Sequence, residues 1–243
     1  MGSSPSKQDY LESRLANPSD VFNLFSDDWY GTSLDYWQAQ EPTVEGMLGG
    51  VPEYDQYDIE TSKTVIEIFF PVKRGKCADV ASGIGRVSEK LLRFHFDCID
   101  LVEPVEKFLN EAKNRLNGLV EFRTILKPAQ EWEIECLYDC FWLQWVLFFL
   151  KDDDAISFLK KCKEHLTENG RIIIKDNIST MDKSEPISNS QWFPIDRSIA
   201  RVYSHFWEIC YAAGLEIEYE KMVDYSEYED LMPLIILVLK RPD

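Results

Sequence analysis

The residues best suited to chemistry are two glycines and an acid that follow two apolar runs. The run that starts at Cys77 leads into Gly83 and Gly85, and the run Cys98–Val102 is followed by Glu103. Glycines after a strand let the backbone approach a ligand closely, and an acid after the next strand can hold ribose hydroxyls. The spacing therefore predicts a nucleoside-binding unit of strand, glycine turn, helix and second strand.

This turn has to be positioned by an α/β fold, because strand and helix patterns alternate along the chain. Strands are predicted at Cys77–Val80, Cys98–Val102, Val120–Ile125, Leu137–Val146 and Arg171–Lys175, with a final antiparallel pair at Leu215–Val223 and Leu234–Leu239. Helices are predicted at Asp58–Phe70, Pro104–Leu116, Asp152–His165 and Asp196–Ala213, and Asn169-Gly170 should end the third of them. The order indicates a doubly wound sheet that binds its ligand at the carboxyl ends of the strands.

The amino-terminal part differs in composition from this core. Residues 1–20 are polar and are expected to form a flexible tail ahead of one domain, residues 21–243. Aromatic residues at helical spacing predict a helical extension over residues 21–70, which could act as a lid on the core, residues 71–243. Within it, the glycine-rich stretch Pro42–Gly50 is either a loop that closes over a site or an ordinary turn.

Composition restricts the possible partners and compartments. Hydrophobic residues make up 45% and the formal net charge is −17, which favours a sizeable core and argues against nucleic acid and anionic membranes. The six cysteines are scattered without zinc-ligand spacing, so we expect reduced thiols and no metal site. An apolar signal segment and a membrane-spanning run are both missing from the sequence, so we expect a protein of the cytoplasm or the nucleus.

Two cofactors suit such a turn, a nicotinamide dinucleotide and S-adenosylmethionine (SAM). Nicotinamide sites favour G-x-G-x-x-G, whereas this chain has Ala81-x-Gly83-x-Gly85, the spacing of the methyltransferase motif with alanine at the first glycine. The antiparallel pair at the end of the chain also suits a methyltransferase sheet. We therefore favour SAM and predict a Rossmann-like class I SAM-dependent methyltransferase, with a mostly parallel seven-stranded sheet and an antiparallel carboxy-terminal hairpin.

Four blocks, in order over about residues 30–240, resemble the alpha N-terminal protein methyltransferase family, and the chain is identified as a divergent member. The blocks are Tyr36-Trp37 with Thr43–Gly50, Ala81–Arg86 with Glu103, Trp142–Val146, and Lys175–Asn177 with Asp196–Arg201. The resemblance implies SAM-dependent methylation of the α-amine of proteins that begin with X-Pro-Lys or X-Pro-Arg. It implies protein N-termini with a basic third residue as partners, and we expect a monomer.

The same resemblance implies a role for each matching position. The cofactor would contact Ala81, Gly83, Arg86, Glu103, Pro104, Val105, Ala129, Gln130 and Gln144. Arg86 would pair with the carboxylate of its methionine part, and Glu103 would hold its ribose. The peptide would contact Trp37, Leu48, Trp145, Asn177, Asp196 and Ser198, with Asp196 and Asn177 as catalytic residues. By residue type alone, the tryptophans could also be core residues.

The chain departs from the family pattern at Phe148, Phe149 and Ala81. The family places Gly-His where this chain has Phe148 and Phe149, and Phe149 cannot accept a proton. We expect Asp196 to serve as the base alone and His205 to lie on a helix face without replacing the missing residue. The alternatives are a slower or inactive homologue that binds SAM or peptide, and a methyltransferase with another substrate. Ala81 replaces a glycine, which removes conformational freedom at a tight turn.

Overall fold

The computed structural model describes residues 28–73, 75–225 and 231–242. The predicted tail of residues 1–20 and the first part of the predicted extension, residues 21–27, lie outside these ranges. The chain divides into two compact units. The central unit comprises Gln38–Gln144 and Lys161–Ile173, and the terminal unit comprises Met1–Trp37, Trp145–Lys160 and Ile174–Asp243.

The described elements alternate between helix and strand as the sequence predicts. The helices are α1 (Trp29–Ala39), α2 (Val44–Met47), α3 (Asp55–Phe69), α4 (Arg86–Lys90), α5 (Glu106–Leu116), α6 (Asp152–Glu164) and α7 (Tyr203–Ala212). The strands are β1 (Lys76–Val80), β2 (Cys98–Val102), β3 (Glu121–Ile125), β4 (Tyr138–Gln144), β5 (Leu166–Asn177), β6 (Gln191–Phe193), β7 (Ser198–Ala200), β8 (Glu216–Val223) and β9 (Leu234–Lys240). Seven of them form a sheet in the order β3-β2-β1-β4-β5-β9-β8, and β6 pairs with β7 in a second sheet.

The pairing of these strands confirms the predicted sheet. Strand β1 pairs in parallel with β2 and β4, and β2 pairs in parallel with β3, whereas β8 and β9 are antiparallel. Strands β1, β2 and β4 are almost continuously buried, as expected for parallel strands covered on both faces. In the edge strand β8, exposed Glu216, Glu218 and Glu220 alternate with less exposed residues, which discourages pairing with another chain.

The prediction that Asn169 and Gly170 end a helix is wrong. Helix α6 ends at Glu164, and β5 begins at Leu166, so both residues lie inside the strand. A Cβ added at Gly170 would lie 2.9 Å from the carbonyl oxygen of Tyr138. Glycine is therefore needed for close backbone approach to the neighbouring chain segment and not for a turn.

The predicted helix Asp196–Ala213 is wrong over its first part. Residues Ser198–Ala200 form β7, which pairs antiparallel with β6 so that Trp192 lies opposite Ile199, and α7 begins only at Tyr203. Strand β6 also lies in a stretch where no strand was predicted. The reason is burial: Ser198, Ile199, Ala200, Arg201 and Val202 are all buried in succession, which one face of a helix does not allow.

Three further observations concern membranes, metals and thiols. Within the described ranges, no helix is both long enough and apolar enough to cross a bilayer. Those ranges also contain no group of three or more His, Cys, Asp or Glu side chains placed to hold a metal ion. All six cysteines are free thiols, and four of them are buried.

Candidate functional site

The glycine turn follows β1 in the central unit and adopts left-handed backbone conformations. The φ angles of Ala81, Gly83 and Gly85 are 53°, 53° and 71°. The turn is closed by a 2.9 Å hydrogen bond from the N–H of Gly85 to the carbonyl of Ser82. A Cβ at Gly83 would lie 2.9 Å from the sulfur of Met47, so the glycine-rich stretch around α2 packs directly on this turn.

Glu103 joins the glycine turn to the start of α5. Its Oε2 accepts a 3.0 Å hydrogen bond from the N–H of Gly83, and its Oε1 accepts one of 2.9 Å from Val105. Burial raises the pKa of Glu103 to about 7 even though both N–H groups lower it. Each oxygen keeps a second lone pair that a ribose hydroxyl can use. Pro104 is half-buried between Glu103 and Val105.

Arg86, the first residue of α4, is held by two acids of α3. Its guanidinium donates hydrogen bonds of 2.7 Å to Asp55 and 2.6 Å to Asp58, and Lys90 also pairs with Asp55. Burial lowers the pKa of Arg86, but the two carboxylates raise it by more. The group predicted to bind the cofactor's carboxylate is thus part of a mixed cluster of a cation and acids.

Gln144, the last residue of β4, belongs to the same cluster. Its Nε2 donates to both carboxylate oxygens of Asp58 at 3.0 Å, and its Oε1 accepts a 3.3 Å bond from the indole of Trp142. The sequence argument missed Asp55 and Asp58. The available signal was Asp58's position on the helix face that also carries the buried residues Val65 and Ile66, where an acid requires a partner.

The remaining central-unit candidates lie in separate short segments. Ala129, 9% exposed, and Gln130 lie in a 3-10 turn after β3, and Lys161 donates a 3.3 Å hydrogen bond to the carbonyl of Gln130. Leu48 is buried directly after α2. These three residues thus lie in chain segments other than those that form the Arg86 cluster.

In the terminal unit, Trp145 and Asn177 lie together. The indole N–H of Trp145 donates a 3.1 Å hydrogen bond to Oδ1 of Asn177, and the backbone N–H of Trp145 donates to the carbonyl of Lys175 at 2.9 Å. The φ angle of Trp145 is 55°, a strained conformation for a bulky residue that often marks a functional site. Both residues were predicted to contact the peptide.

Trp37, also predicted to contact the peptide, packs against the two aromatic residues Tyr36 and Phe149. Its ring centroid lies 5.4 Å from that of Tyr36 and 5.7 Å from that of Phe149, both in edge-to-face arrangements. The indole of Trp29 donates a 2.9 Å hydrogen bond to the carbonyl of Phe149. Phe149 therefore stands in an aromatic wall with Trp37 and Tyr36.

Asp196 is a partly buried carboxylate that is hydrogen-bonded to Ser198. Its Oδ1 accepts a 2.7 Å hydrogen bond from the hydroxyl of Ser198, which is itself buried. Burial raises the pKa of Asp196, and the pKa of Tyr36 is raised by burial and by the charge of Asp196. A carboxylate with a raised pKa is a stronger base, so this group suits proton removal from an amine.

Comparisons with known proteins match almost the whole described chain. The family model described as "AdoMet dependent proline di-methyltransferase" matches residues 26–234, a range that includes every site residue placed above. A Dictyostelium discoideum protein named alpha N-terminal protein methyltransferase 1 is 34% identical over 231 residues, 90% of this chain and 82% of that protein. A Danio rerio protein named N-terminal Xaa-Pro-Lys N-methyltransferase 1 is 32% identical over 210 residues, 79% of this chain and 87% of that protein. The solved structure of a Leishmania major SAM-dependent methyltransferase has a TM-score of 0.81 and 29% identity, covering 92% of this chain and 91% of that chain.

Proposed function

Because the chain belongs to the AdoMet-dependent proline di-methyltransferase family, we propose that it methylates the α-amine of protein N-termini of the X-Pro-Lys/Arg type. The names of the relatives from Dictyostelium discoideum and Danio rerio support the N-terminal amine as the acceptor. The observation in this molecule that carries the proposal is the partly buried carboxylate of Asp196, which accepts a hydrogen bond from Ser198 and whose charge raises the pKa of Tyr36, a ring of the aromatic wall. An acid in that setting can take a proton from an amine.

The residues of the central unit fit SAM. Glu103 can accept hydrogen bonds from the ribose hydroxyls, and the left-handed glycine turn brings backbone close to the ligand. Arg86 and Asp58 offer a cation and an acid, which complement the carboxylate and ammonium of the methionine part. When bound, SAM supplies an electrophilic methyl group on a sulfonium.

The residues of the terminal unit would then act on the amine. An α-amine has a pKa of about 7.7–8.0, so its neutral, nucleophilic form costs only about 1 kcal/mol at neutral pH. Asp196 accepts the proton that the amine loses, and the aromatic rings of Trp37 and Trp145 exclude water and tolerate the cationic methylated product. Asn177, held by Trp145, can orient the peptide backbone through its amide.

The test measures label transfer from SAM to an X-Pro-Lys peptide. We expect Asp196→Asn to lower kcat about 100-fold, because a general base commonly contributes that much. Asp182→Asn, an exposed acid of the same unit, is the matched control and should leave kcat unchanged. Wild-type transfer no greater than that of a Gly83→Ala variant would overturn the proposal.

A basic third residue, a monomeric state and residence in the cytoplasm or the nucleus belong to the same proposal. The net charge of −17 supports a basic substrate, because an acidic surface attracts Lys and Arg. An X-Pro-Gln peptide should therefore show a higher KM than X-Pro-Lys, and the difference should shrink at high salt. Equal KM values at low salt would contradict the basic preference.

A weak or inactive homologue that binds SAM and peptide is the second candidate, because Phe149 replaces the family's histidine. Here the discriminating variant is Phe149→His. If the wild type is inactive and the Phe149→His variant is active, the result favours this candidate. An active wild type excludes it.

A further inference from the structure

A short turn after β4 carries the two phenylalanines that depart from the family pattern. Residues Leu147–Phe149 form a single 3-10 turn, and Phe149 contacts Trp37 at its far end. Such a short turn satisfies few of its own backbone groups, so partners must come from elsewhere. Two charged side chains of the terminal unit, Asp176 and Arg201, supply them.

Asp176 holds the N–H groups of this turn. The side chain is fully buried, its Oδ2 accepts a 2.9 Å hydrogen bond from the N–H of Phe148, and the N–H of Leu147 bonds to it as well. Its Oδ1 accepts a 3.1 Å bond from the N–H of Asn177. Burial raises the pKa of Asp176 to about 7, although these N–H groups and the charge of Arg201 lower it.

Arg201 holds the carbonyl groups of the same turn. Its guanidinium is fully buried and donates hydrogen bonds to the carbonyl of Leu147 and, at 2.6 Å, to the carbonyl of Leu150. It also donates to Oδ1 of Asp152, the first residue of α6, at 2.7 Å and 3.1 Å. Asp176 and Arg201 thus both bind backbone atoms of this segment, the acid at its N–H groups and the cation at its carbonyl groups.

Asp152 anchors Arg201 in turn. Its Oδ2 contacts Nε2 of His205 at 2.8 Å, and Nδ1 of His205 contacts the hydroxyl of Ser190 at 3.1 Å. The hydroxyl of Ser190 accepts the N–H of Val202, so its own proton can go to Nδ1 while Nε2–H donates to Asp152. Burial raises the pKa of Asp152, but hydrogen bonding by His205 and the charge of Arg201 lower it to about 2.

We propose that Asp176 and Arg201 are positioning residues for the peptide, because they fix the turn that presents the ring of Phe149 to Trp37. This inference rests on the proposed methyl transfer. Burying two charges is costly, and hydrogen-bonded geometry is what offsets that cost, so the pair specifies one turn conformation. Trp145, two residues before the turn, donates a hydrogen bond to Asn177, the residue after Asp176, so the same two segments carry both predicted peptide contacts.

The kinetic test compares Arg201→Lys and Asp176→Asn with the wild type. Lysine keeps the charge but cannot reach both carbonyls and Asp152 with a planar fork, and asparagine offers an N–H₂ where the turn offers N–H. We expect the KM for an X-Pro-Lys peptide to rise about tenfold, and the KM for SAM to stay within about twofold, because misplaced binding groups weaken productive binding.

Tyr138→Phe is the control for general destabilisation. It removes a hydroxyl that donates to the buried Asp100 in the central unit, whereas the turn belongs to the terminal unit. If it lowers the Tm as much as Arg201→Lys does and also raises the peptide KM as much, Arg201 and Asp176 have only a structural role and the inference is wrong.

A second readout does not depend on activity. In ¹⁵N spectra, Arg201→Lys should shift the indole N–H signals of Trp29, bonded to Phe149, and Trp145, bonded to Asn177, and leave those of Trp132 and Trp142 in place. Unshifted Trp29 and Trp145 signals would overturn the inference whatever the kinetics. The two proteins could both lack transferase activity while the Trp29 and Trp145 signals still differ between them. That result would support control of the turn and overturn only the proposed function.

Discussion

Ala81 shows how much of a site one residue type can reveal. The sequence motif predicted that alanine in place of the first glycine restricts a tight turn, and the structure gives Ala81 a φ of 53°. The same sequence put Asp58 on the buried face of its helix but did not show what it binds, and it gave no role to Asp55 or Asp176, because the partner of a carboxylate across the fold cannot be identified from the local sequence. The role of a residue that needs special backbone freedom is therefore easier to predict from the sequence than the role of a residue that depends on a distant partner.

Replacing Ala81 with glycine should stabilise the protein. A left-handed conformation costs an L-residue roughly 1–2 kcal/mol, and glycine avoids that cost. Glycine also raises the conformational entropy of the unfolded chain, which offsets part of the gain in stability. We expect the free energy of unfolding in urea to rise by about 0.5–1 kcal/mol. Ala78→Gly in the buried strand β1 is the control and should lower it, so a loss at both positions would contradict the strain at Ala81.

Among the elements, α3 is the one whose position in the chain was predicted but whose chemistry was not. Helical periodicity located it at Asp58–Phe70, close to the observed Asp55–Phe69, and the same reasoning placed β2 at its observed bounds. Prediction failed at Asn169 and Gly170, which have turn character by type. What decides their structure is the close approach of the Tyr138 carbonyl, and a single sequence does not contain that neighbour.

Asp58→Asn should disrupt the cluster that α3 organises. An amide cannot accept hydrogen bonds from Arg86 and Gln144 through both of its terminal atoms, so a buried cation loses part of its compensation. We expect the free energy of unfolding to fall by about 3 kcal/mol and the Kd for SAM, from calorimetry, to rise. Glu60→Gln on the exposed face of the same helix should change the free energy of unfolding by less than about 0.5 kcal/mol. Equal effects of the two variants would refute the assignment.

At the scale of the whole molecule, buried acids govern the dependence of stability on pH. Burial raises the pKa values of Asp79, Glu103 and Asp176 to about 7 in each case. In the unfolded chain such groups have pKa values of about 4, so between pH 4 and 7 the folded state binds more protons than the unfolded state. Their contribution to stability is present below about pH 4 and is lost as pH rises to 7.

We therefore expect the free energy of unfolding to fall between pH 5 and 7.5. The net charge of −17 acts in the same direction through repulsion, but 0.5 M NaCl screens exposed charges and leaves the buried acids largely unaffected. Asp79→Asn, measured in that salt, should give a flatter curve, because an amide keeps the bond with Ser88 without titrating. A curve as steep as that of the wild type would show that Asp79 does not titrate in this range.

The family and the fold, by contrast, could be predicted from the sequence almost completely. The blocks from Tyr36 to Arg201 indicated the family, and the family model and the relatives confirm it. The alternation of elements likewise indicated the seven-stranded sheet that the structure confirms. These features are encoded repeatedly along the chain, whereas the partner of an individual side chain is encoded only in the folded arrangement.

The turn Leu147–Phe149 can present different side chains at position 149 on the same backbone. Asp176 and Arg201 form hydrogen bonds with its N–H and C=O groups. These hydrogen bonds involve no side-chain atom of Phe148 or Phe149. The side chain at position 149 can therefore change while the hydrogen bonds that fix the backbone of the turn stay the same. For an engineer, this makes position 149 a place to graft a histidine, a carboxylate or a reporter ring without redesigning the backbone beneath it.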